Sequence, residues 1–590
     1  MNEGKFEFIN GLNKKQKEIC KSNENIILKA CPGSGKTRTL TYRLAYISMI
    51  NEPSRKLNIA ITYTNRAADE IKDRLCKLDL DIKNIWAGTI HQFCLEFIIR
   101  PYSMYCKRIS CGYHIIDEYV KNEYLTKIVD ELGMPKKVIY NNPLSIIEIE
   151  EKYNKKLEEN NEIDFEQILS IAHKLLSDNK FIRENISDII RSIHVDEYQD
   201  TNELQYNILS YIVNENKKIN ILFVGDIDQA IYGGIGGVAK EKIDLERQFG
   251  IIFVEKTLNG CYRSCQRIID YYLEFQQEYN PIKSLAKNKY AHGHISFETN
   301  ISKNVIIKYI AEIVKEQIEK GVPESEICIL APQWYLLYPI SKNLKTLLPN
   351  INFDAPDITP IKYDPMNVFY LISRLVFTEA GYDISLRKRS AKDLISIFEQ
   401  DYKIRMPQNV DSLALLKAIN SFKLDTNNGI EYLKKAIEYL LFNLKINLKC
   451  ENQLKKSYED FIDKVEDRIK NYNLPLDIES LKKCFKEKHG VVISTFHGVK
   501  GEEYTTVIAL GLLKGYIPHW NLVCNHSESE CKNETKKLIY VICSRAKENL
   551  FLFSEQGRTT NTSGRELEIT QELKEYEYNY DRLDLNINEY

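Results

Sequence analysis

Asn25-Ile26-Ile27-Leu28-Lys29-Ala30-Cys31-Pro32-Gly33-Ser34-Gly35-Lys36-Thr37 is the stretch from which the rest of the chain can be read. Its first six residues form an apolar run of strand length. Cys31 to Gly35 is a Gly/Pro loop, and Lys36 to Met49 has the pattern of a helix. Strand, glycine-rich loop, helix is the opening unit of a parallel α/β domain. The loop also has the parts of a phosphate cradle. Gly33 and Gly35 let backbone N–H groups turn inward, with Ser34 between them, and the helix N-terminus adds positive dipole. Lys36 is placed to neutralise β- and γ-phosphates, and the Thr37 hydroxyl to ligate Mg²⁺. The general pattern begins on glycine, where this chain has Ala30. A chance glycine-rich turn is the plain alternative; the strand before and the helix after favour nucleotide binding.

Further apolar strands are read at 58–62, 189–195 and 220–225, separated by helical stretches, which fits a doubly wound sheet. One of them ends in acid: Ile193-His194-Val195-Asp196-Glu197-Tyr198-Gln199-Asp200. A carboxylate at the C-terminal end of a strand faces the ligand crevice of an open α/β sheet. Asp196 is suited to hold Mg²⁺, and Glu197 to orient and deprotonate an attacking water.

A second set of strands is read at 293–297, 326–330, 491–495, 505–510 and 550–553. The fold class is therefore α/β, with two parallel-sheet domains in tandem, each carrying a mainly helical insertion. The first domain takes residues 1–99 and 163–257, with its insertion at 100–162. The second takes 258–334 and 489–556, with its insertion at 335–488. Residues 557–590 form an acidic-leaning, Tyr-rich tail, either a closing helix or a loose end.

The 590 residues exceed what one hydrophobic core organises. With 43% hydrophobic and 28% charged residues the chain reads as globular. A net charge of -2 neither supports nor excludes nucleic acid, because a positive groove does not show in bulk charge. The start has no apolar run after a basic one, and no run reaches the roughly 18 residues of a membrane helix, so a cytoplasmic protein without a membrane partner is expected. The 14 cysteines are then expected to be thiols. Cys524, His526 and Cys531 lie close together, as do Cys261 and Cys265. Neither group makes a paired C-x-x-C framework, and both are read as core or loop residues rather than a zinc site.

Beyond these two sites, the order of motifs resembles the UvrD/Rep/PcrA family of superfamily 1 DNA helicases. Leu12-Asn13-Lys14-Lys15-Gln16 is similar to the Q motif, Thr62 to Ala68 to motif Ia and Gly88 to Phe93 to motif Ib. Asp196 to Asn202 is similar to motif II and Val224 to Tyr232 to motif III. Leu258 to Ser264 is similar to motif IV, Thr495 to Tyr504 to motif V, and Leu538 to Lys547 to motif VI. The matches run from Leu12 to Lys547 in the family's order.

The resemblance implies two RecA-like motor domains that use ATP and Mg²⁺. It places Ala30 to Arg38 around the nucleotide, with Gln16 and Tyr262 on the adenine, Arg38 beside it and Glu503 on the ribose. Gln229 would sense the γ-phosphate, and Arg263 and Arg545 would be arginine fingers from the second domain. Tyr63, Thr64, His91 and His497 fall at DNA-contacting positions. The implied activity is 3′ to 5′ movement on single-stranded DNA or a tailed duplex. Each lone Tyr or His would otherwise read as an ordinary core or surface residue.

The match breaks at motif III. The family continues Tyr-Gly-Trp-Arg-Gly, whereas this chain reads Tyr232-Gly233-Gly234-Ile235-Gly236. Gly234 removes an aromatic face for a DNA base, and Ile235 replaces the arginine. Motif IV has Cys261 where the family has Asn. The ATPase parts are intact while the DNA-handling parts are altered. A second reading follows: a DNA-sensing regulatory ATPase of an anti-phage complex, like the GajB subunit of Gabija, acting with a nuclease partner. A third, a non-catalytic binding module, is disfavoured by the joint presence of Lys36, Asp196, Glu197, Arg263 and Arg545.

Overall fold

Continuous apolar runs, rather than alternating ones, mark strands covered on both faces. Ile26-Ile27-Leu28 and Ile221-Leu222-Phe223-Val224 are such runs, and they pair side by side. The computed structural model describes residues 3–50, 55–78, 84–140, 142–231, 237–355, 359–364, 367–381, 384–407, 410–485, 489–560 and 564–585.

The first sheet comprises β1 (Ile26–Ala30), β2 (Leu57–Thr62), β3 (Ile85–Thr89), β4 (Ile190–Asp196), β5 (Asn220–Gly225) and β6 (Val254–Leu258). Its order is β3-β2-β4-β5-β1-β6, with every neighbouring pair parallel. The register sets Lys29 beside Gly225 and Asp196 beside Val224. The C-terminal ends of β1, β5 and β4 therefore lie in a row, where ligands bind open α/β sheets.

The second sheet comprises β7 (His294–Glu298), β8 (Ile327–Ala331), β9 (Phe353–Asp354), β10 (Val491–Thr495), β11 (Tyr504–Ala509) and β12 (Ala546–Phe553). Its order is β7-β12-β11-β8-β10-β9, again all parallel. Both sheets belong to one compact unit, made of Met1–Thr89, Ser187–Ala355 and Lys488–Tyr590. The α/β class with parallel sheets is thus the observed one.

β3, β6 and β9 lie outside the sequence-read strands, and each ends its sheet. An edge strand has one neighbour and one wet side. Val254-Glu255-Lys256-Thr257-Leu258 accordingly alternates between exposed and partly covered residues until Leu258.

A second compact unit takes Ile90–Ile186 and Pro356–Glu487 and is almost entirely helical. Its larger core gathers Phe369, Ile372, Leu433 and Phe461. Within it the two insertions are joined by a bidentate ion pair, Arg100 to Asp401, with both contacts at 2.6 Å. A second pair joins Lys464 to Asp117. The divisions differ from the sequence-read 100–162 and 335–488. Helix Phe165–Asp178 packs against the segment Cys94–Ile99, so both go with the helices. Helix Trp334–Leu347 and strand β9 stay with the second sheet.

After β12 the chain forms a short helix, Gln571–Glu575, and then an extended segment. Among the described residues no helix is long and apolar enough to cross a membrane.

Candidate nucleotide site

The phosphate loop follows directly from β1. Gly33 and Gly35 take φ of +67° and +78°, which glycine adopts without steric cost. The buried Ser34 closes the turn, its hydroxyl donating to the Cys31 carbonyl at 2.7 Å. Pro32 is also buried. Helix α2 (Lys36–Ile50) then points its N-terminus back at the loop.

Lys36 and Thr37 meet the end of β4. The Lys36 ammonium lies 3.2 Å from Glu197, and the Thr37 hydroxyl donates to Asp196 at 3.3 Å. Burial opposes charge on Lys36, but Glu197, Asp226 and Asp196 together hold it above its ordinary pKa. Glu197 sits in the left-handed region, φ +53° and ψ +45°, at a cost of about 1–2 kcal/mol. It is fixed there by Lys36 and by Gln199, whose Nε2 donates to it at 2.6 Å. Burial would raise the Glu197 pKa, yet Lys36 and Lys500 pull it down to about 2, so it stays a carboxylate. Burial and the neighbouring Glu197 push Asp196 the other way.

Asp196 and Thr37 are an all-oxygen donor pair facing a phosphate loop. That fits Mg²⁺, which is bound by one or two carboxylates and otherwise by water and phosphate. Among the described residues no group of three or more His, Cys, Asp or Glu side chains is placed to hold a metal ion.

A hydrogen-bonded path leads from here to the second sheet. Gln199 Oε1 accepts from the Asp226 N–H at 3.1 Å, and Asp226 accepts from Gln229 Nε2 at 2.7 Å. Gln229 Oε1 accepts from Arg545 Nη2 at 2.9 Å. Arg545 lies just before β12 and is 1% exposed. Burial, with the nearby Arg263 charge, draws its pKa down to about 9.

Arg263 comes in over the phosphate loop. A Cβ on Gly33 would stand 2.6 Å from the Arg263 Cβ and 2.8 Å from Cys261 Sγ. The Tyr262 N–H donates to the Gly33 carbonyl at 2.8 Å. The Arg263 guanidinium is held by Glu503 at 2.7 Å and by the Ser544 carbonyl at 2.8 Å.

Around these, Asn13 and Gln16 form a capping box at helix α1 (Lys14–Lys21). Both ends of the Gln16 carboxamide are engaged: Oε1 accepts from the Asn13 N–H and Nε2 donates to the Ser34 carbonyl, each at 3.0 Å. The Tyr262 hydroxyl accepts from Asn13 at 2.8 Å. Arg38 reaches the Gly11 carbonyl at 3.2 Å and lies over the Tyr42 ring.

The chain's similarity to known proteins agrees with this assembly. Residues 12–145 and 136–249 match the UvrD/REP helicase N-terminal domain, and residues 392–557 the UvrD-like helicase C-terminal domain. The chain belongs to the UvrD/REP helicase family. A UvrD-like helicase is therefore its enzyme class, and its two parallel-sheet domains are those of a UvrD-like helicase. Among its relatives, the ATP-dependent DNA helicase PcrA of Staphylococcus aureus is 26% identical over 626 residues, covering 93% of this chain and 84% of the relative. The PcrA helicase of Staphylococcus epidermidis is 25% identical over 630 residues, with the same coverage.

The residues read as DNA contacts are spread over both units. Tyr63 and Thr64 precede helix α3 (Asn65–Lys77), where Thr64 is the N-cap, and Tyr63 is 38% exposed. His497 lies exposed in the loop after β10. His91 belongs to the helical unit, where its ring meets Phe165 edge-on and burial lowers its pKa to about 4. Gly234 and Ile235 lie outside the described residues.

Four residues in or beside the path carried no role in the sequence reading: Gln199 and Asp226 within it, and Asp200 and Lys500 beside it. Lys500 donates to Asp200 and to the Gln229 carbonyl, both at 2.6 Å, and so ties the β10–β11 loop to the first sheet. All four lie within the quoted motifs, and that placement was their only signal.

Proposed function

We propose that this protein is an ATP-driven motor that moves 3′ to 5′ on single-stranded DNA, with one triphosphate served by both sheets. The observation that carries this reading is the unbroken path from Lys36 through Glu197, Gln199, Asp226 and Gln229 to Arg545. Lys36 would neutralise the β/γ oxygens, and Glu197 would take the proton of the attacking water. Arg263 and Arg545 would stabilise charge on the transferring phosphoryl group. Mg²⁺ held at Thr37 and Asp196 would supply further charge neutralisation on the phosphates. Tyr262, Gln16 and Arg38 would hold the adenine, and Glu503 would bind the ribose. Hydrolysis then requires both sheets together, which links the chemical step to opening and closing of the cleft.

Names of the relatives support ATP and DNA as substrates. Tyr63, Thr64, His91 and His497 are the proposed DNA contacts, with stacking on the aromatic rings among them worth about 1–3 kcal/mol per base. The test is ATP turnover with and without single-stranded DNA, alongside displacement of 3′- and 5′-tailed duplexes. Turnover stimulated by DNA with displacement from the 3′ tail supports the motor; displacement from the 5′ tail alone overturns its direction.

The glycine-rich Gly233-Gly234-Ile235-Gly236 in motif III favours a second reading. With the stacking aromatic gone, the chain would sense DNA and hydrolyse ATP as a regulatory subunit of an anti-phage assembly, a nuclease partner doing the cutting. DNA-stimulated turnover without any strand displacement, and co-purification with a nuclease, would support it.

A further inference from the structure

The extended segment after helix Gln571–Glu575 alternates in the manner of a strand. Tyr576, Tyr578 and Tyr580 are partly covered, while Glu577 and Asn579 between them are exposed. The three rings close on one residue, Tyr271, at centroid distances of 5.3, 4.8 and 6.0 Å. The next residue completes the grip. Asp581 accepts from both terminal nitrogens of Arg267, at 2.7 and 2.9 Å, and exchanges hydrogen bonds with the backbone of Ile295 on β7. Tyr578 accepts a further bond from Arg267 Nε at 3.2 Å.

Arg267 and Tyr271 lie on helix α4 (Gln266–Leu273), which begins three residues after Arg263. The connecting residues are tied to the start of β12: Ser264 donates to the Ala546 carbonyl at 2.6 Å and the Cys265 N–H to the Lys547 carbonyl at 2.9 Å. The segment bearing Arg263 is therefore held by β12 at one end and by the tail at the other. A planar guanidinium gripped by both carboxylate oxygens fixes orientation as well as distance.

We propose that residues 576–581 are a positioning strap: by gripping Arg267 and Tyr271 they hold helix α4, and through it set Arg263 over the phosphate loop. The inference rests on the reading that Arg263 serves the nucleotide. Arg267 and Asp581 touch no phosphate in this account; they act through Arg263. The strap holds the cation in place only for turnover, so its loss leaves ground-state nucleotide affinity where it was.

The test uses the full chain and steady-state ATP hydrolysis with saturating single-stranded DNA, with nucleotide affinity titrated separately. Asp581→Ala and Arg267→Ala are expected to lower kcat about tenfold or more, the cost of misplacing a group from a distance. KM for ATP and nucleotide affinity stay unchanged. The charge-reversed pair Arg267→Asp with Asp581→Arg recovers turnover. In an Arg263→Ala background, Asp581→Ala causes no further loss. Wild-type kcat in the folded single variants overturns the strap, and so does a loss that persists undiminished in the Arg263→Ala background. Should Asp581→Ala not fold, Asp581→Asn carries the same comparison, and an undiminished kcat there overturns it equally. Wild-type turnover in Arg263→Ala itself would instead overturn the reading of Arg263.

Discussion

Arg545 Nη2 stands 2.9 Å from Gln229 Oε1, and both side chains are buried. A guanidinium partnered there by a neutral amide is incompletely compensated, which is why burial draws its pKa down to about 9. Lys500 is likewise held below its ordinary value, first by burial. Lys500 has Asp200 as its counter-ion, whereas Arg545, partnered there by a neutral amide, is a buried cation that an incoming triphosphate would complete.

Gln229 links Arg545 to Asp226, so Gln229→Ala should remove the bond that ties the buried guanidinium to the first sheet's acidic end. Turnover should fall about 10²-fold, the usual effect of losing one preorganised donor or its support. Nucleotide affinity should change by only a few-fold. Hydrolysis assays paired with fluorescent-nucleotide titration check this; wild-type turnover would remove Gln229 from the path.

Gly225 has no room for a side chain. A Cβ there would stand 2.1 Å from Gln199 Oε1 and 2.6 Å from the Tyr198 ring. Gly225→Ala should displace Gln199, loosen its hold on Glu197 and cost about 1–3 kcal/mol of stability. The urea midpoint and kcat should drop together. An unchanged midpoint would mean that the site relaxes around the methyl group.

The Asp200–Lys500 pair predicts a pH dependence. Burial pushes the Asp200 carboxyl up to about 6, with Lys500 opposing. Because the folded value lies above the ordinary 3.8, this group's contribution to stability is full below 3.8 and is lost as pH rises through about 6. Function runs the other way, since only the ionised carboxylate pairs with Lys500. Turnover should therefore decline as pH falls through about 6, and Asp200→Asn should abolish that inflection. A kcat profile from pH 5 to 8 decides it, and an inflection that survives in Asp200→Asn belongs to another group.

Arg66 and Glu502 also form an ion pair, but Arg66 is 66% exposed. Such pairs contribute roughly 0–1 kcal/mol. Arg66→Ala should leave turnover within about twofold and stability within about 1 kcal/mol. A large loss in either measurement would show that this contact is part of the path.

Much of the fold was legible because its central strands are unmistakable: Ile26-Ile27-Leu28 and Ile221 to Val224 are apolar throughout and frame the phosphate loop. The edges were less so. Ile85-Trp86-Ala87-Gly88-Thr89 and Val254 to Leu258 have only one neighbouring strand and lack a continuous apolar run. At the site, Lys36 and Asp196–Glu197 carry local patterns that name their chemistry. Gln199, Asp226 and Lys500 do not, because their significance lies in bonds between residues 27 to 300 positions apart, which only the folded sheets bring together. The tail shows both sides of this. The sequence showed a Tyr-rich tail that read as either a closing helix or a loose end, and nothing local pointed to Tyr271 and Arg267.

If a cation from the second sheet completes chemistry begun at the first, Arg545→Ala removes that cation and leaves the rest of the site in place. Single-turnover ATP hydrolysis should be measured with DNA bound, together with nucleotide affinity. The hydrolysis step should fall about 10³-fold or more, with affinity nearly intact. Hydrolysis within about tenfold of wild type in a folded Arg545→Ala protein would contradict it.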